Sequence, residues 1–255
     1  MKLVHSYGIL LISYFFCITS VLARQPIEAA TAERPKETYQ IQRLTGDLPI
    51  NAEWNKSQWQ KVPSIKLSNY MGKAPGFWPE TEVKMMYDDA NVYVIFHVKD
   101  HYVRSTVREY NGSVSQDACV EFFFAPDSAS PEKYFNLEIN AGGTPLLYYV
   151  TEPWTAFTKL DSTDIKRVEI AHSLPSVIDP EITEPTDWTI EYRIPLAVLG
   201  AFSNVTKPEP GAIWHANFYK TASKSINPHW ITWSPVDYPK PNFHLPQFFG
   251  TLIFQ

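Results

Sequence analysis

Short stretches in which apolar and polar side chains alternate recur from Tyr39 to the end of the chain. A period of two places successive side chains on opposite faces, the signature of a strand with one buried face. The pattern predicts strands at 39–44, 81–87, 91–99, 118–125, 134–140, 145–151, 166–172, 188–194, 213–221, 230–233 and 250–254. Each stretch is rich in β-branched or aromatic residues and is bounded by Pro, Asn, Asp or Gly. Asp88-Asp89-Ala90-Asn91 reads as a hairpin turn, because Asp and Asn tolerate the left-handed backbone such turns need. Helical spacing is scarce. Two turns are expected within 52–60, carrying Trp54 and Trp59. One more is expected at 195–200, opened by Pro195 and closed by Gly200. Pro175, Pro180 and Pro185 mark 171–187 as loop. Many short strands with little helix predict an all-β protein, an antiparallel β-sandwich or open barrel with one or two short helices.

The first 23 residues break the pattern. Lys2 and His5 precede an apolar run from Tyr7 to Leu22, and Val21-Leu22-Ala23 places small residues where a signal peptidase cuts. The run is too short for a membrane span. A secretory signal peptide over 1–23 is expected, cleaved after Ala23, with a secreted or periplasmic product. Tyr14-Phe15-Phe16 lacks the small residue that lipoprotein processing at Cys17 would need. Residues 24–38 are polar and aperiodic, with Pro26 and Pro35, and read as a linker. The domain is then 39–255. With 44% hydrophobic, 15% aromatic and 19% charged residues, the 255-residue chain is not of disordered composition.

Cleavage removes Lys2 as the one charged side chain, leaving 21 basic against 27 acidic residues. That acidic balance argues against a nucleic-acid partner. Cys17 would leave with the signal, so Cys119 has no intramolecular disulfide partner and reads as a small core residue.

The chemistry that stands out is aromatic side chains beside amides and carboxylates in an exported β-rich chain. Sugars present apolar C–H faces, on which an indole stacks, and a rim of hydroxyls that Asp, Glu, Asn and Arg hydrogen-bond. All 8 tryptophans follow the expected cleavage point. Trp188 alternates with Ile190, Tyr192 and Ile194 and belongs in the core; Trp54 and Trp59 pack from the short helix. Trp78, Trp154 and Trp230, in proline- or turn-rich surroundings, are the better platforms, and Trp233 lies between the two groups. Glu121 sits in the apolar strand Cys119-Val120-Glu121-Phe122-Phe123-Phe124. A carboxylate there either faces a ligand groove or pairs with a cation such as Arg193 or Arg104. Asn136, Glu138 and Asn140 form a polar stripe on the next strand.

An ordered set of segments resembles the family 9 carbohydrate-binding modules, within the wider DOMON-like, jelly-roll-like sandwich group. These are Gly46-Asp47-Leu48-Pro49-Ile50-Asn51-Ala52-Glu53-Trp54, the hairpin Tyr87 to Asp100, and Gln116-Asp117-Ala118-Cys119-Val120-Glu121-Phe122-Phe123, the most specific. Asn140-Ala141-Gly142-Gly143-Thr144, Trp188 to Pro195, Asn217-Phe218-Tyr219-Lys220, Trp233-Ser234-Pro235 and Phe243 to Gly250 continue the series. The resemblance implies a sandwich of two antiparallel sheets that binds poly- or oligosaccharide without cleaving it. It also implies work beside a glycoside hydrolase in polysaccharide breakdown, with calcium as a candidate structural cofactor. By position it assigns sugar contacts to Glu121 and Asn217. The departures lie at the sugar clamp: one expected tryptophan is Val114, the second is Phe243, and an expected arginine is Glu138. The ligand-binding set expected for this chain is therefore Glu121, Asn140, Asn217, Trp154, Trp78, Trp233, Phe243 and Arg104.

Three other chemistries compete. A glycoside hydrolase acting on O-glycosyl bonds needs two carboxylates flanking one bond; Glu121, Glu138 and Glu191 are available on different strands. A haem-binding DOMON-type electron carrier would draw ligands from Met71, Met85, Met86, His97, His101, His215 and His244, without a Cys-x-x-Cys-His attachment. Calcium would draw on Asp88, Asp89, Asp100 and Asp117, which are scattered and lack a loop signature. Nucleotide loops, zinc spacings and a Gly-x-Ser-x-Gly elbow do not occur.

Overall fold

Which face of each strand is apolar decides where it lies, and in this chain the two long hairpins declare two different sheets. The computed structural model describes residues 35–255 together with Met1 and Leu3. Apart from those two, the expected signal peptide lies outside the described residues, as do residues 24–34 of the expected linker. The domain comprises sixteen strands. In chain order they are β1 Thr38–Arg43, β2 Ile65–Lys66, β3 Asn69–Tyr70, β4 Glu80–Tyr87, β5 Asn91–Asp100 and β6 Val103–Ser105. Next come β7 Cys119–Ala125, β8 Tyr134–Asn140, β9 Pro145–Glu152, β10 Ala156–Lys159, β11 Glu169–His172 and β12 Ile178–Ile182. The last are β13 Thr186–Pro195, β14 Ile213–Thr221, β15 Trp230–Thr232 and β16 Gly250–Phe254. Three one-turn α-helices, α1 Ser57–Gln60, α2 Ser162–Ile165 and α3 Leu196–Leu199, and two 3-10 turns, Val114–Gln116 and Pro246–Phe248, complete the described elements.

β1 joins the two sheets. Thr38 to Ile41 pair with β16, and Gln42 and Arg43 pair with β4. The front sheet runs β10-β9-β8-β7-β14-β16-β1, and the back sheet runs β1-β4-β5-β13-β11. Both pairings of β1 are parallel, the exception in an otherwise antiparallel sandwich. Between the sheets lies the main core. Phe122, Phe124, Phe135, Leu137, Trp214 and Phe218 face it from the front; Val94, Phe96, Trp188, Ile190 and Tyr192 face it from the back. Phe218 stacks on Phe122 at 4.7 Å and meets Phe96 of the opposite sheet edge-on at 6.0 Å. This alternation is the physical reason the fold class was readable: each inward set is continuously apolar.

The outward set of the back sheet is covered as well. Met86, Tyr93 and Ile95 pack under Leu44, Leu48, Trp59 and Val62. Glu191 pins that cover. Its carboxylate accepts from the Asn51 and Ala52 amides, the Trp59 indole at 2.8 Å and the Lys56 ammonium at 2.7 Å. Trp54 stacks on His97 at 5.2 Å. The expected helix within 52–60 contracts to α1, because Ala52 has a φ of 60° and the chain before Ser57 serves as a cap for the sheet.

Two expectations for the middle of the chain need correction. Residues 171–187 are not all loop: β12 pairs with β6 through Ile178↔Ser105 and Ile182↔Val103. The register shifts between those pairs, so Pro180 costs no ladder bond. The strand expected from Lys166 begins only at Glu169, because Asp161 caps α2 by accepting from the Thr163 and Asp164 amides.

Candidate functional site

The outward face of the front sheet carries the polar strand residues, and there the sequence's carboxylates meet. On β7 the outward residues include Cys119, Glu121 and Phe123; opposite them on β8 stand Asn140, Glu138 and Asn136. Tyr219 of β14 pairs with Glu121 from the other side. Glu121 and Glu138 are therefore directly opposed across one ladder, where facing Cβ atoms lie about 5 Å apart. They are 2% and 7% exposed. No described residue donates a hydrogen bond to Glu121, and Glu138 receives one, from Asn136 Nδ2 at 3.1 Å.

Burial raises both carboxyls, Glu121 well above the usual carboxylate range and Glu138 to about 7. The charge of Glu138 adds to the effect of burial on Glu121, and Lys220 partly offsets it. Neither cation expected to pair with Glu121 does so. Arg104 lies 3.5 Å from Asp117, and Arg193 lies 2.7 Å from Glu169 on the back sheet. Burial also pushes the Cys119 thiol up, in keeping with a core role.

A hollow of about 170 Å³ opens over this pair, lined also by Phe123, Trp154, Trp230, Phe243 and His244. It adjoins a second hollow of about 400 Å³ over Asn136, Glu138, Tyr148, Trp154 and Phe157. Ser115, Glu138, Trp154, Ser223 and His244 line both, which makes one continuous groove. The larger hollow alone falls in the size range of small-ligand sites.

Aromatic side chains wall the groove, each held by a neighbour. Phe243 stacks on Tyr219 at 4.0 Å, and the Tyr219 hydroxyl donates to the Phe243 carbonyl. His244 is neutral, its pKa lowered to about 4 by burial. The Tyr134 hydroxyl lies 2.7 Å from its Nδ1. Trp154 stands edge-on to His244 at 4.3 Å, yet the residue is 66% exposed. It occupies the turn between β9 and β10 at a φ of 66°, a backbone region costly for a bulky residue. Tyr148 and Phe157 stack in parallel at 5.3 Å on the adjoining strands.

The other expected residues lie elsewhere or are engaged. Asn140 spends its amide on the Val107 carbonyl, Asp117 and the Thr144 amide. Asn217 ties β14 to Ser234 in both directions and also accepts from the Phe218 amide. Trp233 is buried in the main core beside Phe218. Trp78 lies in a separate hollow with Lys66, Leu67, Glu80 and Glu82. Val114, at the position where the resemblance expects a tryptophan, is fully buried.

The four aspartates weighed for calcium do not converge. Asp88 closes its hairpin turn, Asp89 pairs with Arg43, Asp100 with Lys220, and Asp117 accepts from the Thr106 and Val107 amides. Among the described residues no three His, Cys, Asp or Glu come together as a metal would require. Calcium takes six to eight oxygens, which these separated and occupied carboxylates do not fit.

Sequence reasoning left His244 and Tyr148 out of the sugar site. The signal available for His244 was Asn242, whose side chain accepts from the His244 amide and turns the segment over the sheet.

A family model described as carbohydrate-binding family 9 matches residues 47–254. Among solved structures, a candidate carbohydrate-binding protein from Bacteroides uniformis is 25% identical with a TM-score of 0.77, over 87% of this chain and 100% of that one. A family 9 module from Caldicellulosiruptor kristjanssonii in complex with cellotriose is 18% identical with a TM-score of 0.58, over 86% of this chain and 94% of that one. A family 9 module from the same organism in complex with glucose is 20% identical, TM-score 0.55, over 86% and 96%. No curated protein matches the chain.

Proposed function

We propose, from the premise that this chain belongs to carbohydrate-binding family 9, that it holds saccharide in the groove over Glu121 and Glu138. The activity is binding, not cleavage. One observation carries the choice of site: an exposed indole, a stacked phenyl ring and two hydrogen-bond-hungry carboxylates border one hollow. A sugar's apolar face would rest on Trp154, and its hydroxyls would donate to the carboxylates.

Hydrolysis is not favoured. Glycosidase carboxylates flank the scissile bond, whereas cross-strand neighbours project from one face and approach a ligand from one side. The third candidate, Glu191, is consumed under Trp59 on the back sheet. Haem ligation is not favoured either: Met71, Met85 and Met86 are all buried. His97 and His101 stack on Trp54 and Phe77.

The reading extends to an exported protein, cleaved after Ala23, that serves polysaccharide breakdown beside a glycoside hydrolase. Its support is the apolar run before Ala23 and the family.

Calorimetry with cello-, xylo- and manno-oligosaccharides tests the site. The wild type should bind at least one series with an affinity between millimolar and micromolar. Trp154→Ala should weaken that about tenfold, or about 1.4 kcal/mol. If Trp78→Ala removes binding and Trp154→Ala does not, capture belongs to the other hollow. If no saccharide binds, the reading fails.

A further inference from the structure

The floor of the groove gathers acceptors, and two of them are carboxyls. Glu121 is buried and receives no hydrogen bond from any described residue. Glu138 opposes it across the ladder. The Asn136 side-chain oxygen Oδ1, two residues along β8 on the same face, is buried without a hydrogen-bond partner among the described residues. Asn136 and Glu138 line the larger hollow, and Glu121 and Glu138 the smaller. The cations of the neighbourhood are spent elsewhere: Lys220 turns between the sheets to Asp100, and Arg104 turns to Asp117.

A neutral sugar placed there supplies hydroxyl donors but nothing to offset ionisation of the opposed pair, which burial already disfavours. A metal ion is poorly served, because two carboxylates and one amide fall short of the oxygens calcium needs. An ammonium group brings three N–H donors and one positive charge, which matches three acceptors and favours the ionised form of the pair. The aromatic wall adds a cation-attracting surface beside them.

Resting on the assignment of saccharide capture to this groove, we propose that its preferred ligand is an amino sugar. The free, protonated amine would sit between Glu121, Glu138 and Asn136 Oδ1 while the ring stacks on Trp154. The two glutamates then act as the determinants of specificity, selecting deacetylated from acetylated or neutral sugars.

Calorimetry at pH 7 in 0.5 M NaCl, where surface attraction is screened, compares four probes: glucosamine, its β-1,4-linked dimer, N-acetylglucosamine and cellobiose. The amine-bearing dimer should bind at least tenfold tighter than cellobiose. Glu138→Gln and, independently, Glu121→Gln should each bring the ratio of the two affinities to within about twofold of one. Both are isosteric and remove repulsion, so both should fold. Equal or tighter binding of cellobiose by the wild type overturns the amino-sugar assignment and leaves the groove as a neutral-sugar site. A preference that survives both variants overturns it as well. Failure of all four probes and of the neutral oligosaccharides would instead sink saccharide capture itself.

Discussion

Replacing Lys220 with methionine should destabilise the protein by about 3–5 kcal/mol at pH 7, the usual cost of stranding one member of a buried ion pair. Lys220 and Asp100 are both fully buried, 3.2 Å apart, at one end of the space between the sheets. The surroundings are built for this charge. The Lys220 ammonium also donates to the Thr221 carbonyl and to His229 Nε2 at 2.8 Å, and it lies 5.7 Å from the centre of the Trp188 ring. His229 can accept because burial and the lysine hold it neutral, at about 3, while its Nδ1 donates to the Asn227 carbonyl. Burial alone would raise the Asp100 carboxyl. Lys220 and the Tyr102 amide outweigh that and hold it below the usual range.

Asp100 Oδ1 also accepts from the His101 and Tyr102 amides. A second variant should therefore keep that acceptor: Lys220→Met with Asp100→Asn removes both charges and should recover at least half of the loss. Urea unfolding followed by tryptophan fluorescence measures both variants. A single variant within about 1 kcal/mol of wild type, or a double variant no more stable than the single, would show that the pair is not what holds that end of the sandwich. The same change bears on the groove. Lys220 is the positive charge that restrains the rise of the Glu121 carboxyl, so its loss moves the ionisation of Glu121 to higher pH.

How far the sequence could be read follows from what each strand faces. β7 was legible because Cys119-Val120-Glu121-Phe122-Phe123-Phe124 is a short run rich in aromatics, bounded by Asp117 and Pro126, too short for a buried helix. β12 was not legible, since Ile178-Asp179-Pro180-Glu181-Ile182 contains a proline and gains its place only by pairing with the distant β6. The candidate site separated along the same line. Trp154 stood out as an aromatic among turn residues, and the turn is what leaves it exposed.

Asn140 stood out in the polar stripe of its strand, and Asn217 by its position in the family resemblance. Such a side chain must bond something, and the pattern does not say whether that is ligand or backbone; here it is backbone. The opposition of Glu121 and Glu138 depends on the register of one hairpin. A one-residue slip would have turned Glu138 to the other face, so spacing alone did not bring the two together.

That opposition has a thermodynamic consequence, best read as a difference between wild type and Glu138→Gln across pH. The folded Glu138 carboxyl is raised to about 7, whereas in the unfolded chain it titrates near 4.3. A raised carboxyl stabilises fully below the unfolded value, and that contribution is lost as pH rises through the folded one. Between pH 5 and 8 the wild type should therefore lose stability relative to a variant that cannot ionise at 138. The difference should grow to about 3 kcal/mol, since each pH unit between the two values is worth about 1.4 kcal/mol.

Other groups act in the same interval. His229 and His244, with pKa values lowered to about 3 and about 4, stabilise increasingly as pH rises towards 6.5 and mask the slope in the wild type alone. They are common to both proteins and cancel in the difference, whereas Glu121, raised in part by the charge of Glu138, is eased in the variant and widens the difference in the same direction. Asp88 and Asp100, both lowered, lose their contribution only in the acid range below the test. Glutamine keeps the shape and can still meet Asn136, so near pH 5 the two proteins should melt together and near pH 8 the variant should be the more stable. A difference that stays flat across the interval would mean that the two carboxyls do not share the buried environment proposed for ligand capture.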